Sequence, residues 1–208
     1  KGDPAPYLAP YMFGQPNMYA RDAEAFANLR YVRDLSETNR LTARLYYGHY
    51  DYLGHWPLDL ESGRQTEHDV TRADWSGTEL RLETLLGTDL RVVSGVEHQR
   101  DFRLSQRDMT KPDLQVYYDF NNKAARTSAY AQADYDLTQR VTLTGGLRLD
   151  RTSPGGTEIN PRLGLIYKPG SNTAWKFLYG RGARNASPYE RLWSPEGVSL
   201  DAERVENA

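Results

Sequence analysis

Residues 140–150, RVTLTGGLRLD, alternate strictly. Val141, Leu143, Gly145, Leu147 and Leu149 fall on one side, and Thr142, Thr144, Gly146, Arg148 and Asp150 on the other. A period of two is the pleat of an extended strand, here with one apolar face. Working outward, 159–168 repeats the pattern, with Pro161, Leu163, Leu165 and Tyr167 opposite Asn160, Arg162 and Gly164. Segment 40–53 sets Leu41, Ala43, Leu45 and Tyr47 against Thr42, Arg44, Tyr46 and Gly48. In 125–136, Ala129, Ala131, Ala133 and Tyr135 stand opposite Tyr130, Gln132 and Asp134. Residues 22–33, 72–86, 90–100 and 173–182 also read as strands, the third with its facing open because Val92 and Val93 are adjacent. These segments exceed the roughly 5–6 residues usual in a soluble sheet and match the roughly 9–11 that a tilted strand needs to cross a bilayer.

The connections carry a second signal. Between these segments Asp34–Asn39, Gly87–Asp89, Asp136–Gln139 and Pro169–Asn172 are short, while Gly54–Thr71, Asp101–Ala124, Arg151–Glu158 and the chain after Arg181 are longer. Short and long alternate, as they do in transmembrane barrels, where one end is joined tightly and the other carries long outward loops. Tyr31, Tyr135, Tyr167 and Trp175 lie on the apolar face close to short turns. Tyr and Trp favour the headgroup level, where the ring is covered and its polar tip stays wet.

Composition agrees. Only 38% of the 208 residues are hydrophobic and 26% are charged, yet there are 15 Tyr and 4 Trp. A barrel needs apolar residues on its lipid face alone. No apolar run approaches the roughly 20 residues of a spanning helix. The net charge of −2 gives no footing for nucleic acid, and the absence of Cys removes disulfide scaffolds and thiolate metal sites. The expected fold is therefore all-β, an antiparallel up-and-down meander of about eight long strands, part of a large transmembrane β-barrel.

The stretch 145–206 resembles the TonB-dependent receptor family. GGLRLD at 145–150 and NPRLGLIYKPG at 160–170 are similar to that family's paired strands, and WKFLYGRGAR at 175–184 with SPYERL at 187–192 to the next strand and its loop. Leu200, Glu203 and Glu206 fit its Leu-x-x-Glu run into a following strand, and AYAQADYDLT at 129–138 is similar more weakly. Ala183, Ala186 and Ala202 depart from the family, which usually has an aromatic at the first and Pro at the other two. The resemblance implies a plugged barrel of roughly 22 strands. The whole chain, 1–208, then reads as a partial barrel domain, with plug, TonB-contacting segment and terminal strands outside it.

The function this implies is energy-dependent uptake of a metal chelate, siderophore-like, or a similar nutrient at the bacterial outer membrane. Expected partners are outer-membrane lipid, the cargo, and plug and TonB through the rest of the parent, with no cofactor. Basic and aromatic side chains in outward loops suit anionic chelates. The candidates are Tyr50, Tyr52, His55 and Trp56 in one loop, Arg100, Arg103 and Arg107 in the next, and Arg184 and Tyr189 after the last strand. Each loop arginine also has acids beside it, such as Asp101 and Asp108, and reads first as a solvated charge. Arg44, Glu79, Arg81, Glu83, Arg148, Asp150 and Arg162 read as cross-strand pairs facing the lumen. No Ser–His or Asp–His arrangement suggests an enzyme. His49 and Asp51 share a strand face near His55, an arrangement that suits solvated side chains better than a metal. The alternative from another class is a soluble or cell-surface β-domain that binds glycan or protein through its exposed aromatics.

Overall fold

A computed structural model describes residues 17–60, 63–184 and 203–207. The described residues form nine strands in one antiparallel sheet, ordered as they occur in the chain. They are β1 (Tyr19–Asp34), β2 (Asn39–Leu60), β3 (Gly63–Leu86), β4 (Leu90–Lys111), β5 (Val116–Thr138), β6 (Val141–Ser153), β7 (Thr157–Gly170), β8 (Thr173–Arg184) and β9 (Glu203–Asn207). Among the described residues no helix is long and apolar enough to cross a membrane.

The predicted meander is present, with corrections at the outward ends. Gly54–Thr71 and Asp101–Ala124, expected as long loops, are strand for most of their length. β2 and β3 run on to either side of 61–62, and β4 and β5 to either side of 112–115. The 22 residues of β2 and 24 of β3 make strands of roughly 70–80 Å at about 3.3 Å per residue. A bilayer needs less than half of that. The alternation read from loop lengths is thus an alternation in how far hairpins project. Its physical reason is that the segments keep strand-compatible Thr, Tyr, Val and Gln and pair with each other, which turn residues alone would not reveal. The ninth strand, Glu203–Asn207, takes in Glu203 and Glu206 of the Leu-x-x-Glu run expected to lead into it.

Contacts divide the chain into two units, one comprising Lys1–Asn28, Tyr46–Gly77 and Arg100–Ala124, the other Leu29–Leu45, Thr78–Gln99 and Ala125–Ala208. In the second unit the register from β5 to β8 shows why the sheet has two unlike faces. Ala131 pairs with Leu147 and Leu147 with Pro161; Ala133 pairs with Gly145, Gly145 with Leu163 and Leu163 with Tyr179. These rows form an apolar face that nothing covers: Leu147 is 46% exposed and Leu163 57%. Trp175 pairs with Tyr167 and Tyr167 with Val141, beside the turns at 139–140 and 171–172, while Tyr135 pairs with Leu143 one row further in. Three of the expected aromatics thus gather at adjacent levels.

The opposite face is a polar lattice. Arg148 donates through Nη2 to Glu97 (2.9 Å) and to Ser128 (2.8 Å) and through Nε to Asp150 (2.8 Å), with its guanidinium over the Tyr130 ring. Tyr130 donates to Glu79 (2.7 Å), and Arg91 pairs with Glu83 (2.8 Å). A recess of about 680 Å³ lies here, lined among others by Glu79, Arg148, Arg162 and Arg181. Arg148 with Glu97 and Ser128, Tyr130 with Glu79 and Arg91 with Glu83 join different strands, as expected of lumen-facing charges, whereas Arg148 and Asp150 lie on the same strand. Gly87, at φ +70°, supplies the left-handed residue that the three-residue turn into β4 requires. Among all described residues the one large apolar side chain that is nearly covered is Tyr46, 7% exposed. A sheet without a core must have its apolar face covered from outside.

Candidate functional site

The first unit carries most of the residues singled out for binding, and its two faces differ in charge. Tyr46 folds over Gly77, and Trp75 from β3 folds over Gly48. Alternation along β2 then puts Tyr50, Tyr52 and Trp56 on the Tyr46 face, where Tyr52 and Trp56 flank Gly54. Tyr50 donates to Asp22 of β1 at 2.5 Å. Further along, Tyr118 of β5 accepts from Gln106 (2.9 Å) and donates to Asp69 at 3.4 Å, while Glu67 and Asp108 share a hydrogen bond.

Two carboxyls joined by a hydrogen bond need a proton between them. Burial, with the negative charge of Glu67 beside it, pushes Asp108 up to about 7. Glu67 is raised by burial and by Asp69, and Asp69 by burial and by Asp108. Burial raises the Tyr118 phenol as well, helped by Asp69 and Asp108. Each shift disfavours added negative charge on a face that is already acidic.

The other face carries the cations. Tyr47 donates to Asp74 (2.8 Å), and His49 bridges Asp74 through Nδ1 (2.7 Å) and Asp51 through Nε2 (2.8 Å). Arg72 lies 3.3 Å from Asp51, Arg103 lies 3.4 Å from Asp74, and Arg107 lies 3.5 Å from Asp119. His55 meets the carbonyl of Asn17 at 2.8 Å, stacks on Tyr19 and touches His68 edge-on. Burial, with Lys111 and His55 nearby, holds His68 below its ordinary value and so keeps it neutral at pH 7.

A slip in β4 puts Arg103 and Arg107 on this face. Phe102 and Arg103 are consecutive yet both exposed on the Tyr47 face, one stacked at 6.2 Å on Tyr47 and the other against Asp74. Beyond them alternation resumes one residue out of step, burying Gln106, Asp108 and Thr110 and exposing Arg107. An extra residue in one strand does this, because the side-chain period is two.

The structure therefore brings Tyr50, Tyr52 and Trp56 together, on strand rather than in a loop. It does not bring the arginines to them. Arg103 and Arg107 project from the opposite face, and by alternation Arg100 shares the face of Phe102. His55 is also on that opposite face. Arg184 belongs to the second unit, where it pairs with Glu203 at 2.8 Å between β8 and β9. Tyr189 lies outside the described residues. Sequence reasoning missed Glu67, Asp69, Gln106, Asp108 and Tyr118. The period-two spacings Glu67-x-Asp69 and Gln106-x-Asp108-x-Thr110 were the available signal, hidden in segments read as loops.

The family model "TonB dependent receptor-like, beta-barrel" matches residues 2–208. Comparison with curated proteins gave no match. Among solved structures the chain is similar to the copper transporter OprC, with TM-score 0.69 and 17% identity over 90% of this chain and 36% of that one. It is similar to the ferric yersiniabactin uptake receptor FyuA from Yersinia pestis, with TM-score 0.66 and 16% identity over 92% of this chain and 32% of that one. It is also similar to the siderophore receptor PiuA from Acinetobacter baumannii, with TM-score 0.69 and 13% identity over 91% of this chain and 37% of that one. The chain spans about a third of the length of these proteins, and at such identities the likeness is one of fold.

Proposed function

Because the chain belongs to the TonB-dependent receptor β-barrel family, we propose that it forms part of an outer-membrane receptor for uptake of a metal chelate, siderophore-like, or a similar scarce nutrient. On this reading the energy for release comes through a plug and TonB in the rest of the parent. The observation that carries the proposal is the two-faced sheet. A leucine and aromatic face lies open, the reverse face is a lattice of charge pairs, and the hairpins run far beyond a bilayer. Lipid supplies the cover that the apolar face lacks, and the polar face suits a water-filled or plugged lumen. A soluble glycan- or protein-binding β-domain would need a second layer over its leucines; among the described residues no element supplies one.

On this reading the Tyr50, Tyr52 and Trp56 face of the outward hairpins meets the cargo. The test is uptake of radiolabelled metal by starved cells making the full parent, with and without Tyr50→Ala, Tyr52→Ala and Trp56→Ala together. At least a tenfold loss of uptake, with the heat-modifiable folded barrel still in the outer membrane, is expected. Unchanged uptake in a folded variant would contradict the role given to this face.

A further inference from the structure

Charge in the first unit is sorted by face. Asp22, Glu67, Asp69 and Asp108 stand on the Tyr46 face, together with the phenols of Tyr50 and Tyr118. Arg72, Arg103 and Arg107 stand on the other, each against its own carboxylate. Among the described residues no Lys or Arg pairs with Glu67, Asp69 or Asp108. Carboxylates held out of water without a counter-charge are costly, and the Glu67–Asp108 pair reduces that cost by sharing a proton. Two oxygens remain unsatisfied even so. Asp108 is 8% exposed and its Oδ1 has no hydrogen-bond partner; Thr110 is 0% exposed and its hydroxyl has none either. These residues are two apart on one strand, so both oxygens are presented to the same acidic face. A buried hydroxyl and a buried carboxylate oxygen normally find partners. A bound positive group would satisfy both and neutralise the carboxylates at once.

The geometry points to a binding site for the positively charged part of a ligand on the Tyr46 face, with Glu67, Asp69 and Asp108 as its counter-charges and Thr110 and Gln106 as neutral oxygen partners. This rests on the uptake reading and narrows it. The cargo presents a cationic surface, such as a positively charged metal complex or an amine, to the hairpins. An anionic chelate would meet four carboxylates there and, among the described residues, no guanidinium. Tyr50 and Tyr52 from β2, Tyr118 from β5 and Asp22 from β1 also face the cluster, and Tyr50 and Tyr118 are neutral phenols at working pH. A cation arriving there displaces the proton shared by Glu67 and Asp108, so binding releases a proton and tightens as pH rises through neutrality.

The experiment uses the full parent in outer-membrane vesicles and two inorganic probes of opposite charge, hexaamminecobalt(III) and hexacyanoferrate(III), in equilibrium dialysis at pH 6 and pH 8. The cobalt cation should be held at least tenfold more tightly than the iron anion, and more tightly at pH 8 than at pH 6. Asp108→Asn alone, and Glu67→Gln, Asp69→Asn and Asp108→Asn together, should each weaken cation binding, the triple variant at least tenfold. Arg103→Gln and Arg107→Gln on the opposite face should leave it unchanged. Preference for the anion, or full cation binding by the folded triple variant, would overturn the inference while leaving the uptake reading in place. Absence of the parent from the outer membrane would overturn both.

Discussion

A Cβ on Gly77 would meet the phenol ring of Tyr46, and one on Gly48 the indole of Trp75. Each aromatic lies flat across a neighbouring strand only because the glycine leaves room, so the glycines fix where two rings go. Gly77→Ala and Gly48→Ala should each destabilise the folded barrel by about 1–3 kcal/mol, as overpacked sites do. Gly145→Ala, where a Cβ meets nothing within 4 Å, should cost far less. Urea unfolding followed by gel mobility would rank the three. Asp108 has its pKa raised in the folded chain, so between the ordinary carboxylate value and about 7 the folded state holds a proton that the unfolded state has lost. Stability of the β3–β4 hairpin should therefore be greatest at the acid end of that window and fall as pH rises through it. Asp108→Asn should flatten the dependence, read as trypsin cleavage or amide exchange within 63–111. A hairpin that tightens with rising pH would contradict the shared proton.

Single strands were the legible level of this chain. RVTLTGGLRLD predicts β6 and both its faces, and the register confirms them, with Thr144 bonded to Asp134 on the polar side and Leu147 open on the other. In Leu147→Arg and Leu163→Arg a charge would face hydrocarbon and cost roughly 2–4 kcal/mol near the midplane. Thr144→Arg should be milder, since its new guanidinium has Asp134 within reach. Equal loss of folded barrel in both sets would contradict the facing. What strand periodicity could not show is where a strand stops outside the membrane. Residues 54–71 and 101–124 mix polar and aromatic side chains, so no apolar face marks them, and only pairing within each hairpin makes them strands. Nor could it show the slip at Phe102–Arg103. One extra residue there exchanges the faces of everything that follows in β4, which is why Arg103 and Arg107, expected beside Tyr50 and Tyr52, stand opposite them and why Asp108 stands with them. The candidate face was thus half legible: its aromatics were, its carboxylates were not.

At the scale of the molecule, the open leucine face and the sheet's outer strands make one demand. Among the described residues β1 and β9 each have a single neighbour, and unpaired strand edges recruit other chains. The 208-residue chain made alone should therefore associate or require detergent, with light scattering as the check; a monodisperse, detergent-free monomer with a cooperative melt would favour the soluble alternative. On the uptake reading the sheet crosses the outer membrane with its tight turns inside and its long hairpins outside. This chain has no Cys, so single cysteines report cleanly. In whole cells making the full parent, a membrane-impermeant maleimide should label Asp113→Cys and Ser153→Cys at the outward ends. Glu37→Cys, Thr88→Cys and Ser171→Cys should stay unlabelled until the outer membrane is broken. Labelling of both sets on intact cells, or of neither, would contradict a membrane-spanning meander.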